Sequence, residues 1–483
     1  MSRNQEASNA AKRRQKTASI RPGIEQLESR LVPAKVVTTL LDTTNASTPT
    51  PGSLRAAVTS NVPSDLKVEF NDDLFAASIG VTHNPTALAL GNFRGAGKND
   101  VVSASRFTGS LSFSPDDNRG LGFLSQASTA YSASFTTSNI QALEAAELDS
   151  DGNTDIVTLG ADGSLRTYLG NGNGTFTLKS TIAVGSSAAI ALGDFNKDGK
   201  VDFATALTGS TGKVVFAMGN GDGTFGASQT VTLSGTGSGN LVSLAVGDVT
   251  GDGTDDVVSL SSAGVLTTLP GVASGSALGA PVATTIPGSP FTFLALGDLD
   301  NDGRADAVAV NSASGILTML KASTTTSGAF LTTGTGISTA TLATGAAPGI
   351  VRVADLNADG KADLAVTQYG LDNVAVYTGK GDGTLNSGPA TFDVVDPTDI
   401  RVRDMNADGL PDIVASSETS QSFAVFTNSG NASFGPAGSK QATFILNGAV
   451  GAITDTLNNN LTITGGAQFG PGDFDAAGNS LAN

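Results

Sequence analysis

Short apolar runs recur through the middle of this chain, paired across nine-residue acidic loops. Leu294 and Leu296 alternate with small residues before one such loop, and Ala307-Val308-Ala309-Val310 follows it. Runs of that length, bounded by Asp and Gly, predict two strands joined by a tight turn. The stretch from 295 to 310 reads ALGDLDNDGRADAVAV and sets Asp298, Asp300, Asp302 and Asp306 at loop positions 1, 3, 5 and 9, with Gly303 at position 6. Alternation turns the acids at 1, 3 and 5 to one side, and glycine takes a positive φ at no steric cost. Carboxylates gathered in this way repel one another unless a cation joins them. An all-oxygen set, helped by the backbone carbonyl of Arg304 at position 7, suits calcium.

The loop recurs as Glu147 to Asp155, Asp194 to Asp202, Asp248 to Asp256, Asp355 to Asp363 and Asp404 to Asp412, with a worn copy from Asn92 to Asp100. Loop starts at 92, 147, 194, 248, 298, 355 and 404 are 55, 47, 54, 50, 57 and 49 residues apart. A period near 50 accommodates four short strands, the size of one propeller blade, and seven copies predict seven blades. In the third copy Ala189–Leu192 enters the loop, Phe203–Ala206 leaves it, Val214–Ala217 follows, and a last strand lies near Thr230 to Leu233. The glycine runs GNGNGTF (170–176), GNGDGTF (219–225) and GKGDGTL (379–385) are expected to be hairpin turns. No helix follows them, as a phosphate-binding loop would require.

Composition narrows the function classes. Sixty glycines and 5% aromatic residues point to an all-β chain, and the absence of cysteine excludes disulfides and zinc–thiolate sites. A formal charge of −17 disfavours nucleic acid and anionic membrane surfaces as partners. Twenty of the 44 acids lie at ligand positions of the six intact loops, so six divalent ions would bring −17 + 12 to about −5. The single histidine, His83, stands in a Thr-His-Asn-Pro turn and offers little to a catalytic triad. No tryptophan is present to form a sugar platform, and no unrepeated acid pair stands out beyond the loops.

The repeats resemble the FG-GAP/VCBS repeat of the integrin α-subunit propeller and of many bacterial extracellular proteins, over roughly residues 80 to 440. The resemblance implies structural calcium held by side chains at loop positions 1, 3, 5 and 9. Carried onto this chain, the ligands are Glu147, Asp149, Asp151 and Asp155; Asp194, Asn196, Asp198 and Asp202; Asp248, Thr250, Asp252 and Asp256. They continue with Asp298, Asp300, Asp302 and Asp306; Asp355, Asn357, Asp359 and Asp363; Asp404, Asn406, Asp408 and Asp412. About six calcium ions are therefore expected. The first copy departs from the pattern, because Asn92, Arg94 and Ala96 replace three ligands; Arg94 is expected to pair with Asp100 and leave no calcium site. Glu147 carries an extra methylene at position 1, and Thr250 offers only a neutral oxygen, so weaker binding is expected at loop 4.

The ends of the chain differ from its middle. Residues 1–34 carry scattered arginines and lysines without an apolar span, and are expected to be a disordered basic segment. Its end, IEQLESRLVPA (24–34), resembles a motif at the start of large bacterial surface and exported proteins. Residues 35–79 contain GSLRAAV with Ser53 as a helix N-cap, then a strand at Val68-Glu69-Phe70. This succession resembles the opening of bacterial β-helix surface proteins, whose following strands resemble ATFILNGAVGAITDTLNNNLTITGG at 442–466. Residues 35–79 and 441–483 are thus expected to pair into one small β-helix-like cap, with the propeller at 80–440 inserted between them. The function expected is a calcium-stabilised, non-enzymatic, monomeric module at the cell surface or outside the cell, binding a protein or glycan through propeller loops. The alternatives are a propeller-type polysaccharide lyase or hydrolase, and a purely architectural matrix component.

Overall fold

The computed structural model describes residues 84–95, 97, 99–107, 111–115, 139–209, 211–234, 239–428 and 430, with strand backbones at 68–69, 79–80, 434–436, 442–446, 449–456 and 460–464. Contacts divide the chain into two compact units, Ala77–Ala437 and Met1–Ala76 with Gly438–Asn483. The basic segment at 1–34, the Ser53 helix and His83 lie outside the described residues.

The larger unit is an all-β propeller of seven blades. Each blade begins with an inner strand: Ala87–Gly91, Ile140–Ala146, Ser187–Gly193, Leu241–Gly247, Phe293–Gly297, Pro348–Ala354 and Pro397–Arg403. Each inner strand packs on that of the next blade, and the seventh returns to the first, so the ring closes. The sheets are antiparallel meanders; in blade 3, Ser187–Gly193, Asp202–Leu207, Lys213–Ala217 and Gln229–Thr232 pair in sequence order. The second strand of a blade has sheet on both sides and another blade over each face, and its side chains are buried accordingly, as at Asp256–Ser261, Asp306–Asn311 and Asp412–Ser417. That is why these strands read as continuous apolar runs, whereas outer strands such as Phe176–Ala183 reach solvent. Separate apolar clusters seal successive blade interfaces, for example Phe195, Phe216, Leu241 and Leu244 between blades 3 and 4, and Val308, Met319, Val351 and Tyr377 between blades 5 and 6.

Blade 7 is closed from two directions. Ile79–Gly80, from before the first blade, pairs with the outer edge of Ser422–Asn428 at Phe423 and Ser422, while Phe434–Pro436 pairs with the same strand at Phe426 to Asn428. The chain's two approaches to the propeller therefore meet on one strand. The glycine runs are hairpins, as expected, and they dock blades together. The amides of Gly174, Gly223 and Gly383 donate to the carbonyls of Phe93, Leu148 and Leu299 in the preceding blade's loop, at 2.9, 3.1 and 2.9 Å. Gly223 has φ +79°, a left-handed conformation that favours glycine, and a Cβ there would also press on the Leu169 side chain at 2.6 Å.

The smaller unit contains a four-stranded sheet in which Val68–Glu69 pairs with Asn460–Leu461, joining segments from the two ends of the chain. Among the described residues every pairing in this sheet is antiparallel, and the parallel rungs of a β-helix are not shown.

One charged network breaks the repeat. The residue three before each loop is Ala89, Ala191, Ala245 and Ala295 in four blades, but Glu144, Arg352 and Arg401 in the others. Arg401 of blade 7 reaches past blade 1 to Glu144 of blade 2, donating through Nη1 to Oε2 at 2.8 Å and through Nη2 to Oε1 at 3.0 Å. Its Nε donates to Asp399 at 3.3 Å, and Asp399 also accepts from Arg352 at 3.2 Å and from the Leu88 amide at 2.9 Å. Glu144 and Asp399 thus form an unrepeated acid pair that the sequence reading did not find, because their proximity depends on ring closure. Burial opposes the Arg401 charge, but Asp399 and Glu144 outweigh it and hold the guanidinium protonated; Arg352 is pulled the other way by burial and by Arg401. Removing one partner of a largely buried pair leaves the other uncompensated. Arg401→Met is expected to destabilise the propeller by about 3 kcal/mol in a urea melt. Ala191→Ser at the matching blade 3 position, which is buried but holds no charge, should cost less, about 1 kcal/mol.

Candidate metal centres

Each acidic loop joins the first and second strands of a blade, and its second residue is an apolar anchor. Phe93, Leu148, Phe195, Val249, Leu299, Leu356 and Met405 are all buried. With that side chain fixed in the core, the polar residues on either side are held at the surface of the blade seam. The glycine at position 6 has positive φ in every intact loop: Gly152, Gly199, Gly253, Gly303, Gly360 and Gly409. Position 4 does too, at Ser150, Lys197, Gly251, Asn301, Ala358 and Ala407, and five of these are not glycine. Residue types do not mark this second left-handed position, since Ala358 and Ala407 have no intrinsic preference for that region.

The position 1 carboxylate organises the turn. Asp298 Oδ1 accepts from the Asp302 amide at 3.1 Å, and Oδ2 from the Gly303 amide at 2.9 Å. The same pair of bonds recurs at Asp194, Asp248, Asp355 and Asp404. Glu147 Oε1 takes the Asp151 amide at 3.1 Å, so the longer side chain still serves position 1. Position 3 oxygens of Asp149, Asn196, Asn357 and Asn406 accept the position 5 amide, whereas Thr250 turns its hydroxyl to Asp248. Position 5 carboxylates of Asp151, Asp198, Asp252, Asp302, Asp359 and Asp408 accept the amide two residues on.

Position 9 has a second task. Asp155, Asp202, Asp256, Asp306, Asp363 and Asp412 are fully buried. One oxygen of each accepts the amide of the apolar anchor; the other accepts an amide at the end of the third strand. For Asp306 these are Leu299 at 3.0 Å and Ala322 at 2.7 Å; for Asp202 they are Phe195 at 2.8 Å and Gly219 at 2.6 Å. Three strands of a blade therefore meet on one carboxylate. Burial raises the pKa of Asp155 and Asp306 to about 7, with the neighbouring loop acids adding to it and the amides opposing it. Burial likewise raises Asp202 and Asp412 to about 6, and shifts Asp256 and Asp363 upward.

Two loops bring three carboxylates within 4.8 Å of one another: Glu147, Asp149 and Asp151, and Asp298, Asp300 and Asp306. Asp302 and Asp155 are not part of these closest groups. In loop 5, Asp300 Oδ1 is buried without a hydrogen-bond partner. Oxygen donors gathered around positive-φ turns, one of them lacking a partner, fit a hard divalent cation such as calcium. The first loop is built otherwise. Arg94 Nε donates to both oxygens of Asp100 at 2.9 and 3.1 Å, and Nη2 to Oδ1 at 2.6 Å, so a guanidinium occupies the position 9 carboxylate as expected.

A family model, the FG-GAP-like repeat, matches residues 147–205, 194–259, 298–366 and 355–415. Each match runs from one loop to just beyond the next, and together they include all six intact loops. Similar solved structures include a lectin from Agrocybe aegerita that recognises non-reducing terminal N-acetylglucosamine, at 18% identity over 65% of this chain and 81% of that one, with a TM-score of 0.46. Another is the virginiamycin B lyase of Staphylococcus aureus, at 13% identity over 72% of this chain and 97% of that one, with a TM-score of 0.48. No curated protein matches the chain.

The raised position 9 carboxyls set a pH dependence in the absence of metal. A group whose folded pKa exceeds its unfolded value stabilises the fold at low pH, and that contribution is lost as pH rises through the folded value. For Asp155 and Asp306 the loss runs from about 3.8 to about 7. In excess chelator the melting temperature is therefore expected to be several degrees higher at pH 5.5 than at pH 8. Calcium should reduce that difference, as read by thermal melts in paired buffers.

Proposed function

We propose that this chain, a seven-bladed propeller of FG-GAP-like repeats, is a non-enzymatic recognition module whose blades are stapled by calcium and which works outside the cell or on its surface. The observation that carries the calcium reading is the gathering of loop acids at blade seams, with buried carboxylates at position 9 and a partnerless Asp300 oxygen. Glu147, Asp149, Asp151, Asp155 and the matching residues of loops 3 to 7 are its proposed ligands, and about six ions its stoichiometry. Calcium in this reading is a staple: position 1 and 5 oxygens already take part in forming the turn, so the ion would hold a shape that the loop has begun to make. An extracellular setting supplies that ion in excess, and the chain has no cysteine to cross-link instead.

Recognition of a protein or glycan is the activity we assign to the scaffold. A groove of about 620 Å³ between blades 5 and 6 gives it one suitable place. The groove is lined by Met319, Ser338, Gln368, Asn373, Tyr377 and Lys380, and includes a buried Asn373 oxygen without a partner. The non-enzymatic part of the proposal is supported by the state of the unrepeated acids: Glu144 is held bidentately by Arg401, and Asp399 accepts three donors. A carboxylate bound in that way is poorly placed to move a proton. Among the described residues no helix is long and apolar enough to cross a membrane.

The calcium reading is tested by metal stoichiometry and melts of the full chain. About six ions per chain and an upward shift of the melt are expected on adding calcium. Asp302→Ala and Asp359→Ala should each lower the melting temperature in calcium and leave it nearly unchanged in chelator, where no ion remains to lose. Equal losses in both conditions would sink the staple.

A further inference from the structure

We infer that Lys321, which comes from outside the loop, is a built-in counter-ion of the position 3 acid of loop 5, which calcium must displace. The lysines that approach loops 3 and 6, Lys200 and Lys361, belong to those loops and lie farther off, 3.6 and 3.7 Å from the position 5 acids Asp198 and Asp359. The inference rests on the calcium reading above and concerns how one site is tuned. It starts from position 3. Only loops 2 and 5 carry an acid there, Asp149 and Asp300; the others have Asn196, Thr250, Asn357 and Asn406. Loops 2 and 5 therefore hold four carboxylates each, yet their surroundings differ.

In loop 5 the Lys321 ammonium lies 3.2 Å from Asp300 Oδ2, with side-chain exposures of 22% and 14%. The matching position is the one before the amide that bonds the position 9 carboxylate. It is Leu169, Met218, Pro270, Thr378 and Thr427 in the other intact blades, all uncharged. The extra acid of loop 5 is thus matched by an extra cation that no other repeat has.

The lysine is also held in place. Its amide donates to Gly336 O and its carbonyl accepts from the Leu331 amide, both at 2.8 Å, and the next residue, Ala322, bonds Asp306. Its stem lies against the blade 6 hairpin, where a Cβ on Gly383 would come within 2.6 Å of Lys321 Cε. A fixed backbone and a packed stem restrict where the ammonium can go. A cation bound by Asp298, Asp300 and Asp306 would share Asp300 with that ammonium, and two positive charges on one carboxylate repel. Calcium entry therefore requires Lys321 to leave Asp300, at a cost that loop 2, with Leu169 in its place, does not bear.

The test is calcium titration calorimetry with chelator melts on the full chain, comparing wild type, Lys321→Met and the double variant Asp300→Asn/Lys321→Met. Lys321→Met keeps the stem and removes the charge. It is expected to tighten one calcium site by about tenfold or more, and to lower the melting temperature in chelator. The double variant removes both charges, should recover the chelator melt, and should lose the affinity gain. If calcium shifts the wild-type melt but Lys321→Met leaves the isotherm unchanged, the ammonium does not compete with the ion, and the inference falls while the staple stands. If the wild type binds no calcium, both fall. Should Lys321→Met not fold, Lys321→Gln removes the charge and keeps a polar stem, and an isotherm unchanged from wild type in that variant overturns the inference equally.

Discussion

A carboxylate with no access to water stands at the loop end of the second strand in every intact blade, and three strands of the blade are tied to it. The position 9 aspartate ties the entry loop to the third strand through two amides, so it cannot be moved out without opening the blade. Two neutral N–H donors stabilise such a charge, but burial and the nearby loop acids outweigh them, as the upward shift of Asp155 and Asp306 indicates. Something positive must complete the balance. A proton does so at low pH and a guanidinium does so for Asp100 in blade 1, while in blade 5 an ammonium pairs with Asp300, a loop acid beside the position 9 carboxylate. The chain therefore treats its acidic loops differently, and they cannot be regarded as interchangeable turns.

The propeller's symmetry explains what its sequence revealed. The period of about 50 residues, the strand pairs around each loop and the all-β class follow from local pattern, because each blade repeats the same neighbours along the chain. Arg94 pairing with Asp100 was legible for the same reason: the two are six residues apart in a loop of known shape. Contacts between blades were not legible. Glu144 and Arg401 are 257 positions apart, and only closure of the ring brings them together. The repeats did hold a clue, since an alanine column interrupted by Glu144, Arg352 and Arg401 marks positions where the fold does not dictate the residue.

The glycine runs show the limit of a local reading from another side. Their hairpin form was expected because no helix follows them and they recur at the same place in the repeat, but their role in docking Gly174, Gly223 and Gly383 to the preceding blade comes from packing. The double role of position 9 was similarly hidden. In a nonapeptide pattern the last aspartate reads as one more ligand, whereas its two amide partners include one on a strand some 15 residues further along. Left-handed Ala358 and Ala407 belong to the same class, because an alanine enters that region only when surrounding bonds fix the turn.

Closing a ring of seven sheets without cysteine leaves the first and last blades to be joined by weak bonds, and the chain concentrates polar contacts at that joint. Ile79–Gly80 and Phe434–Pro436 share the outer edge of blade 7. Asn99 donates to Asp404 O, Arg403 to Asn99 and to Leu90 O, and Thr398 to Pro85 O. Blade 1 lacks an intact acidic loop, so the staple proposed for the other seams cannot act within it. The Arg401 network spans that very blade, from blade 7 to blade 2. Charge pairs that would be costly elsewhere along the inner strands thus stand where loop-bound metal is not expected to help. The division of labour is physical: six blades carry the acids that the proposed ion would hold, and arginines serve the one without them.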